Sequence, residues 1–154
     1  MPQSDTDSPS PANDSMTNDL TATLDVLTPI RRHRLTMAEQ AWQRQRSVLK
    51  AMHTSLEQLT KELEQRREQH GLARLEQRNA HINRRLPLNE MNQWLNGEQQ
   101  ALRQIERLEQ RYKALQEECR QQQQWTEDSE RQLHRRQRDV EKLDYLRDLA
   151  QEAS

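Results

Sequence analysis

Apolar residues recur along this chain in alternating steps of three and four, on two tracks separated by a break near Pro87. On the first track Leu35, Ala38, Trp42, Leu49, Met52, Leu56, Leu59 and Leu63 keep one register, interrupted only by Gln45. On the second, Met91, Trp94, Ala101, Ile105, Leu108, Tyr112, Leu115, Cys119, Leu133, Val140, Leu143 and Ala150 do the same, so that 12 of 18 a and d sites are apolar. This spacing keeps an apolar seam on one side of a helix and favours supercoiling against another. Two such helices with one short break predict an all-α fold: a long antiparallel two-helix coiled-coil hairpin. A rod of that kind offers little concave surface, which favours mechanical or adhesive roles over catalysis.

Local signals set the expected boundaries. Residues 1–19 are rich in Ser, Asp, Asn, Pro and Thr and predict a disordered acidic tail, because they have little apolar surface to offset ordering entropy. Residues 20–28 form a lead-in. Thr28-Pro29 reads as an N-cap followed by proline at the first helical position, which starts helix one at 29. Gly71 is the expected stop, so helix one covers 29–71. Residues 72–88 are the turn region, closed by Pro87. Asn89 is the expected N-cap of helix two, with Glu90 favouring the N-terminal dipole, and helix two covers 89–150 before a short end at 151–154.

A fold-back centred near residue 79 places Leu63 opposite residue 95 and Leu35 opposite residue 123. Arg31, Arg32, His33 and Arg34 then face Glu127, Asp128 and Glu130, and the last part of helix two projects past helix one. Between Arg120 and Gln132 the seam is polar, with Gln122, Thr126 and Ser129 at its sites. Two readings stay open there: a frayed segment, or a surface for another protein.

Composition narrows the function classes. Of 154 residues, only 31% are hydrophobic, there is no Phe, and charged residues make up 32%. That fills a narrow seam but not a sizeable core. No apolar run is long enough for a transmembrane helix, and the N-terminus lacks the pattern of a secretory signal. Residues 1–30 carry five Asp and no Lys or Arg, leaving 24 basic and 20 acidic side chains in the rest. That balance does not point to nucleic acid. A basic-zipper reading of 31–50 ranks below a solvated helix face, because the seam already begins at Leu35 within the basic stretch and the stretch has no Asn.

No catalytic, cofactor-binding or metal-binding residues emerge. Gly71 and Gly97 alone build no phosphate loop. His33, His53, His70, His81 and His134 lack ligand spacing relative to Cys119 or to each other. Cys119 falls at an a site and reads as a small core residue, consistent with a reducing compartment. Trp42 and Trp94 sit on the seam. Trp125 falls at a g site in the polar stretch, where its ring covers the seam edge or anchors a partner. Leu72, Leu75, Ile82 and Leu86 fall outside either register. They read either as a local cap over the turn or as apolar anchors for a partner, and with Trp125 they are the candidate partner-binding residues.

Three stretches go beyond heptads: Leu27-Thr-Pro-Ile30-Arg-Arg-His-Arg34 with Ala38-Glu39 and Arg44-Gln45-Arg46; Leu88-Asn-Glu-Met91 with Gln104-Ile105-Glu-Arg-Leu108-Glu-Gln; and Gln124-Trp125 with Arg135-Arg136-Gln137-Arg138 and Lys142-Leu143. In that order, over residues 27–145, the chain resembles the type III secretion central stalk proteins, relatives of the flagellar export protein FliJ. The resemblance implies a non-enzymatic antiparallel hairpin in the bacterial cytoplasm, peripheral to the inner-membrane secretion apparatus. Its implied partners are the hexameric secretion ATPase, the cytoplasmic domain of the export gate, and chaperones, with no nucleic acid and no membrane insertion. The long acidic N-terminal stretch departs from the family pattern. The alternative is a generic coiled-coil scaffold or chaperone that self-associates.

Overall fold

A computed structural model describes residues 11–82 and 84–153. Two helices account for almost all of them: α1 (Pro11–Ala80) and α2 (Leu88–Ala153), packed against each other as an antiparallel hairpin. The chain divides into two compact units. A turn unit, Arg46–Gln124, holds the connection between the helices. A terminal unit holds the described residues up to Gln45 together with those from Trp125 onward.

In the turn unit, Leu59 and Leu63 of α1 are buried against Ile105 and Leu108 of α2, with Tyr112 and Leu115 packed alongside. Cys119 is buried at its a site. In the terminal unit, Leu24 is buried with Leu143 and Ala150, and Leu27 packs against them. Within each unit the residues of the 3-4 pattern are the ones that lose exposure, as a narrow coiled-coil seam requires. Met91 is the exception, a seam site left half exposed.

The helices are longer than the capping signals predict. Of the tail expected over 1–19, residues 1–10 lie outside the described residues, and Pro11–Asp19 are the first turns of α1. Thr28-Pro29 does not start the helix, because Pro29 lies inside it. The Thr28 hydroxyl donates to the Leu24 carbonyl at 2.7 Å, and Leu24 and Thr28 are both buried. Burial of Leu24 and Leu27 on α2 outweighs the lost N–H of Pro29. Gly71 does not stop α1 either. It is helical and exposed, and α1 runs on to Ala80. The turn is therefore residues 81–87, not 72–88. The amide of Arg84 donates to the His81 carbonyl at 3.3 Å. The Met91 amide donates to the Pro87 carbonyl at 3.1 Å, so Pro87 rather than Asn89 caps α2.

The longer α1 moves the register. Arg67 pairs with Glu109 at 2.7 Å and Arg74 with Glu98 at 3.0 Å in the turn unit. In the terminal unit Arg32 pairs with Asp144 at 3.5 Å and Asp25 with Arg147 at 3.2 Å. The midpoints of these pairs lie at residues 86–88, not at 79. Leu63 consequently meets Leu108 instead of residue 95. Arg31 donates to the Asp139 carbonyl at 3.4 Å, so the cluster at 31–34 faces the region of Asp139 and Asp144 rather than Glu127, Asp128 and Glu130. Asp128 pairs instead along its own helix with Arg131. The end of α2 does not project past α1, because Ala150 is buried beside Leu24.

The polar seam between Arg120 and Gln132 is regular α-helix, and it is covered by the protein's own α1. Gln122 and Thr126 are only 4% and 7% exposed. Thr126 Oγ1 donates to the Gln45 carbonyl at 3.3 Å within the terminal unit. Polar seam residues that satisfy one another stay inside, which neither the frayed nor the partner-surface reading anticipates.

Candidate functional site: the groove at the turn

Past His70 the α1 seam weakens. Ala73 is exposed, Gln77 is half-buried, and the apolar residues Leu72 and Leu75 point away from the seam. Across the turn, Pro87 redirects the chain so that Leu86, Met91 and Trp94 come back beside the end of α1. The result is a groove of about 590 Å³ whose apolar walls are Leu75, Leu86, Met91 and Trp94. Arg74, Arg78, Arg84 and His81 stand around it. Arg74 and Arg78 share a face because they are four residues apart on one helix. Between residues 72 and 90 there are four Arg (74, 78, 84, 85) and two Glu (76, 90), so the rim is cationic.

A second hollow lies on the seam side and shares Arg74, His81 and Trp94 with the first. Its floor is polar. Glu98 occupies a seam site, is 16% exposed at its side chain, and is held by Arg74 Nε at 3.0 Å. His70 Nε2 stands 3.6 Å from the same carboxylate oxygen, beyond hydrogen-bond reach, and makes no other hydrogen bond among the described residues.

The expected partner-binding residues separate into three groups. Leu75 and Leu86 line the groove. Leu72 and Ile82 are 54% and 59% exposed and stand outside it. Trp125 is half exposed on the terminal unit and belongs to a different surface. Sequence reasoning assigned Met91 and Trp94 to the seam and so missed their place in the groove. It also missed the arginines, although their spacing at 74 and 78 beside an out-of-register leucine was a readable signal.

The groove has the character of a docking surface: apolar walls accept a large side chain, and the guanidinium groups select acidic neighbours. Among the described residues no three His, Cys, Asp or Glu side chains come together to hold a metal ion. No described helix is long and apolar enough to cross a membrane. Comparison with protein families, curated proteins and solved structures finds no match to this chain.

Proposed function

We propose that this chain is a non-enzymatic coiled-coil stalk of a bacterial type III secretion export apparatus, coupling the hexameric secretion ATPase to the export gate. The observation that carries the reading is the antiparallel hairpin with a groove of apolar walls and arginine rim at its turn. A hairpin with one sticky end suits a protein that bridges two larger machines. The turn end offers Leu75 and Leu86 to the cytoplasmic domain of the gate, and the polar helix faces serve the ATPase. Chaperones are a further class of partner. The chain works in the cytoplasm, at the inner face of the secretion apparatus.

The test is direct. The purified chain is mixed with the secretion ATPase of the same organism, and co-elution and hydrolysis rate are measured. A stalk binds the ATPase and raises its rate. A chain that neither binds nor stimulates sinks the proposal. In that case the second reading stands, a coiled-coil scaffold, which is favoured by the exposed apolar side chains of the terminal unit.

A further inference from the structure

The two flanks of the seam in the terminal unit differ in chemistry. Thr28, Leu35 and Trp42 are a sites of α1, and Thr126, Leu133 and Val140 are a sites of α2. In an antiparallel pair the g and c sites of both helices then form one flank, the e and b sites form the other, and f faces outward between them. The large apolar side chains that this unit leaves exposed all fall at g, c or f, and none at e or b. Ile30, Met37, Trp125 and Leu146 sit on the g/c flank, between 43% and 51% exposed, with Val26 and Tyr145 beside them at f. An apolar surface gathered on one side in this way marks an interaction site rather than scattered surface residues.

Charge follows the same division. Between residues 15 and 45 and between 125 and 153, the g and c sites hold four bases, Arg34, Arg44, Arg135 and Lys142, and two acids, Asp128 and Asp139. Both acids are engaged along their own helix, Asp128 with Arg131 at 2.9 Å and Asp139 with Arg136 at 3.7 Å. The four bases are exposed and make no hydrogen bond or ion pair among the described residues. At f, Arg131 and Arg138 adjoin the flank, while Asp19 and Glu152 stand near the helix ends. The e and b sites hold seven acids and a single base, Arg32, which is paired with Asp144. One flank is apolar and cationic, and the other is polar and acidic.

We infer that the g/c flank of the terminal unit is a peripheral docking face for an anionic phospholipid bilayer. Its unpaired bases match lipid phosphates, and its apolar side chains reach the boundary between headgroups and acyl chains. Arg and Lys stems lie along such a boundary with their charges in the headgroups, and Trp125 and Tyr145 are the aromatic types that favour that depth. The seven acids of the opposite flank are repelled by the same surface, so the hairpin lies down in one orientation. A second copy fits less well, because its g/c flank sets base against base and its e/b flank offers no large apolar side chain. Nucleic acid satisfies the bases but leaves the apolar side chains uncovered. The chain lies on the bilayer and does not cross it. The inference rests on the surface of the terminal unit and is independent of the secretion reading.

Vesicle flotation of the full chain tests it. The chain is expected to float with phosphatidylglycerol vesicles and not with phosphatidylcholine vesicles, and to be released as salt rises from about 50 to about 500 mM. The variants Arg34→Glu/Arg135→Glu/Lys142→Glu and Ile30→Ser/Met37→Ser/Leu146→Ser each weaken binding at least about tenfold, with helix content unchanged by circular dichroism. Lys50→Glu/Lys113→Glu/Arg120→Glu makes the same change of net charge at b sites of the turn unit and leaves binding within about twofold. Brominated lipid quenches part of the tryptophan emission of the wild-type chain, and Trp125→Phe removes the quenched part. Failure to float with phosphatidylglycerol overturns the inference and leaves the flank to a protein, with sedimentation velocity showing whether that protein is a second copy. Equal binding to phosphatidylcholine, an equal loss in the b-site variant, or quenching that survives Trp125→Phe overturns it as well.

Discussion

The hydroxyl of Thr126 donates across the hairpin to the backbone carbonyl of Gln45, 3.3 Å away. Both are seam residues, in the stretch where Gln122, Thr126 and Ser129 make the α2 side of the seam polar. A polar layer in a coiled coil costs stability and fixes alignment, because a slipped register leaves its groups without partners. Thr126→Ala is expected to lower the unfolding free energy by about 1 kcal/mol. Gln45→Leu with Thr126→Val is expected to raise the urea midpoint while doubling amide resonances, as alternative alignments become populated. A double variant with a single sharp spectrum shows that register is set elsewhere.

His70 is the next seam residue that an apolar side chain serves better. Its Nε2 lacks a hydrogen bond among the described residues, with Glu98 at 3.6 Å. His70→Leu removes that unpaired nitrogen and extends the apolar layer begun by Leu63, for an expected gain of about 1–2 kcal/mol. Chemical denaturation of the two proteins decides it. A loss of stability shows that the His70–Glu98 approach contributes more than an apolar layer would.

Two helix-breaking residues lie inside α1. Pro29 has no N–H for the Asp25 carbonyl, and a Cβ added at Gly71 meets nothing within 4 Å. Gly71→Ala is expected to stabilise by about 0.5–1 kcal/mol and Pro29→Ala by up to about 3 kcal/mol. Thermal melts followed by circular dichroism test both. If Pro29→Ala leaves the midpoint unchanged, the segment before residue 29 does not contribute to the cooperative unit.

At the turn, Leu75 and Ile82 are more than half exposed. Substituting both with Ser is expected to change stability by less than about 0.5 kcal/mol, because little packing is lost. Binding to the export gate, or secretion itself, is expected to fall by about 2 kcal/mol or more if Leu75 anchors a partner. A double variant that melts early yet binds normally assigns these side chains to the fold.

The seam was legible in the sequence because a 3.5-residue period admits few other folds. Leu59, Leu63, Ile105, Leu108, Leu133 and Leu143 are buried where the pattern puts them. The helix ends were not legible, for a physical reason. Thr-Pro and Gly signal a boundary through local backbone preferences of a few kcal/mol at most, and burial along the seam overrides them at Pro29 and Gly71. The pairing register follows from where the chain turns, so that one error displaced every cross-helix partner. Arg31 and Arg32 were read against Glu127 and Asp128 for this reason alone. The apolar residues at 72, 75, 82 and 86 were recognised as out of register. Which of them share a groove depended on the path of 81–87, which no period encodes.

The hairpin register also dictates a timetable. Arg74 and Glu98 are separated by 24 residues, whereas Asp25 and Arg147 are separated by 122. Closing the short loop costs less entropy, so zipping starts at the turn and runs toward the termini. On the ribosome the order is enforced more strictly. All of α1 has been synthesised before the first residue of α2 exists, and making the 66 residues of α2 takes on the order of several seconds. For that interval the leucines of α1 have no mate, and the cell holds a long amphipathic helix with its greasy side uncovered. Until Leu143 and Ala150 have been made, nothing in this chain can cover Leu24.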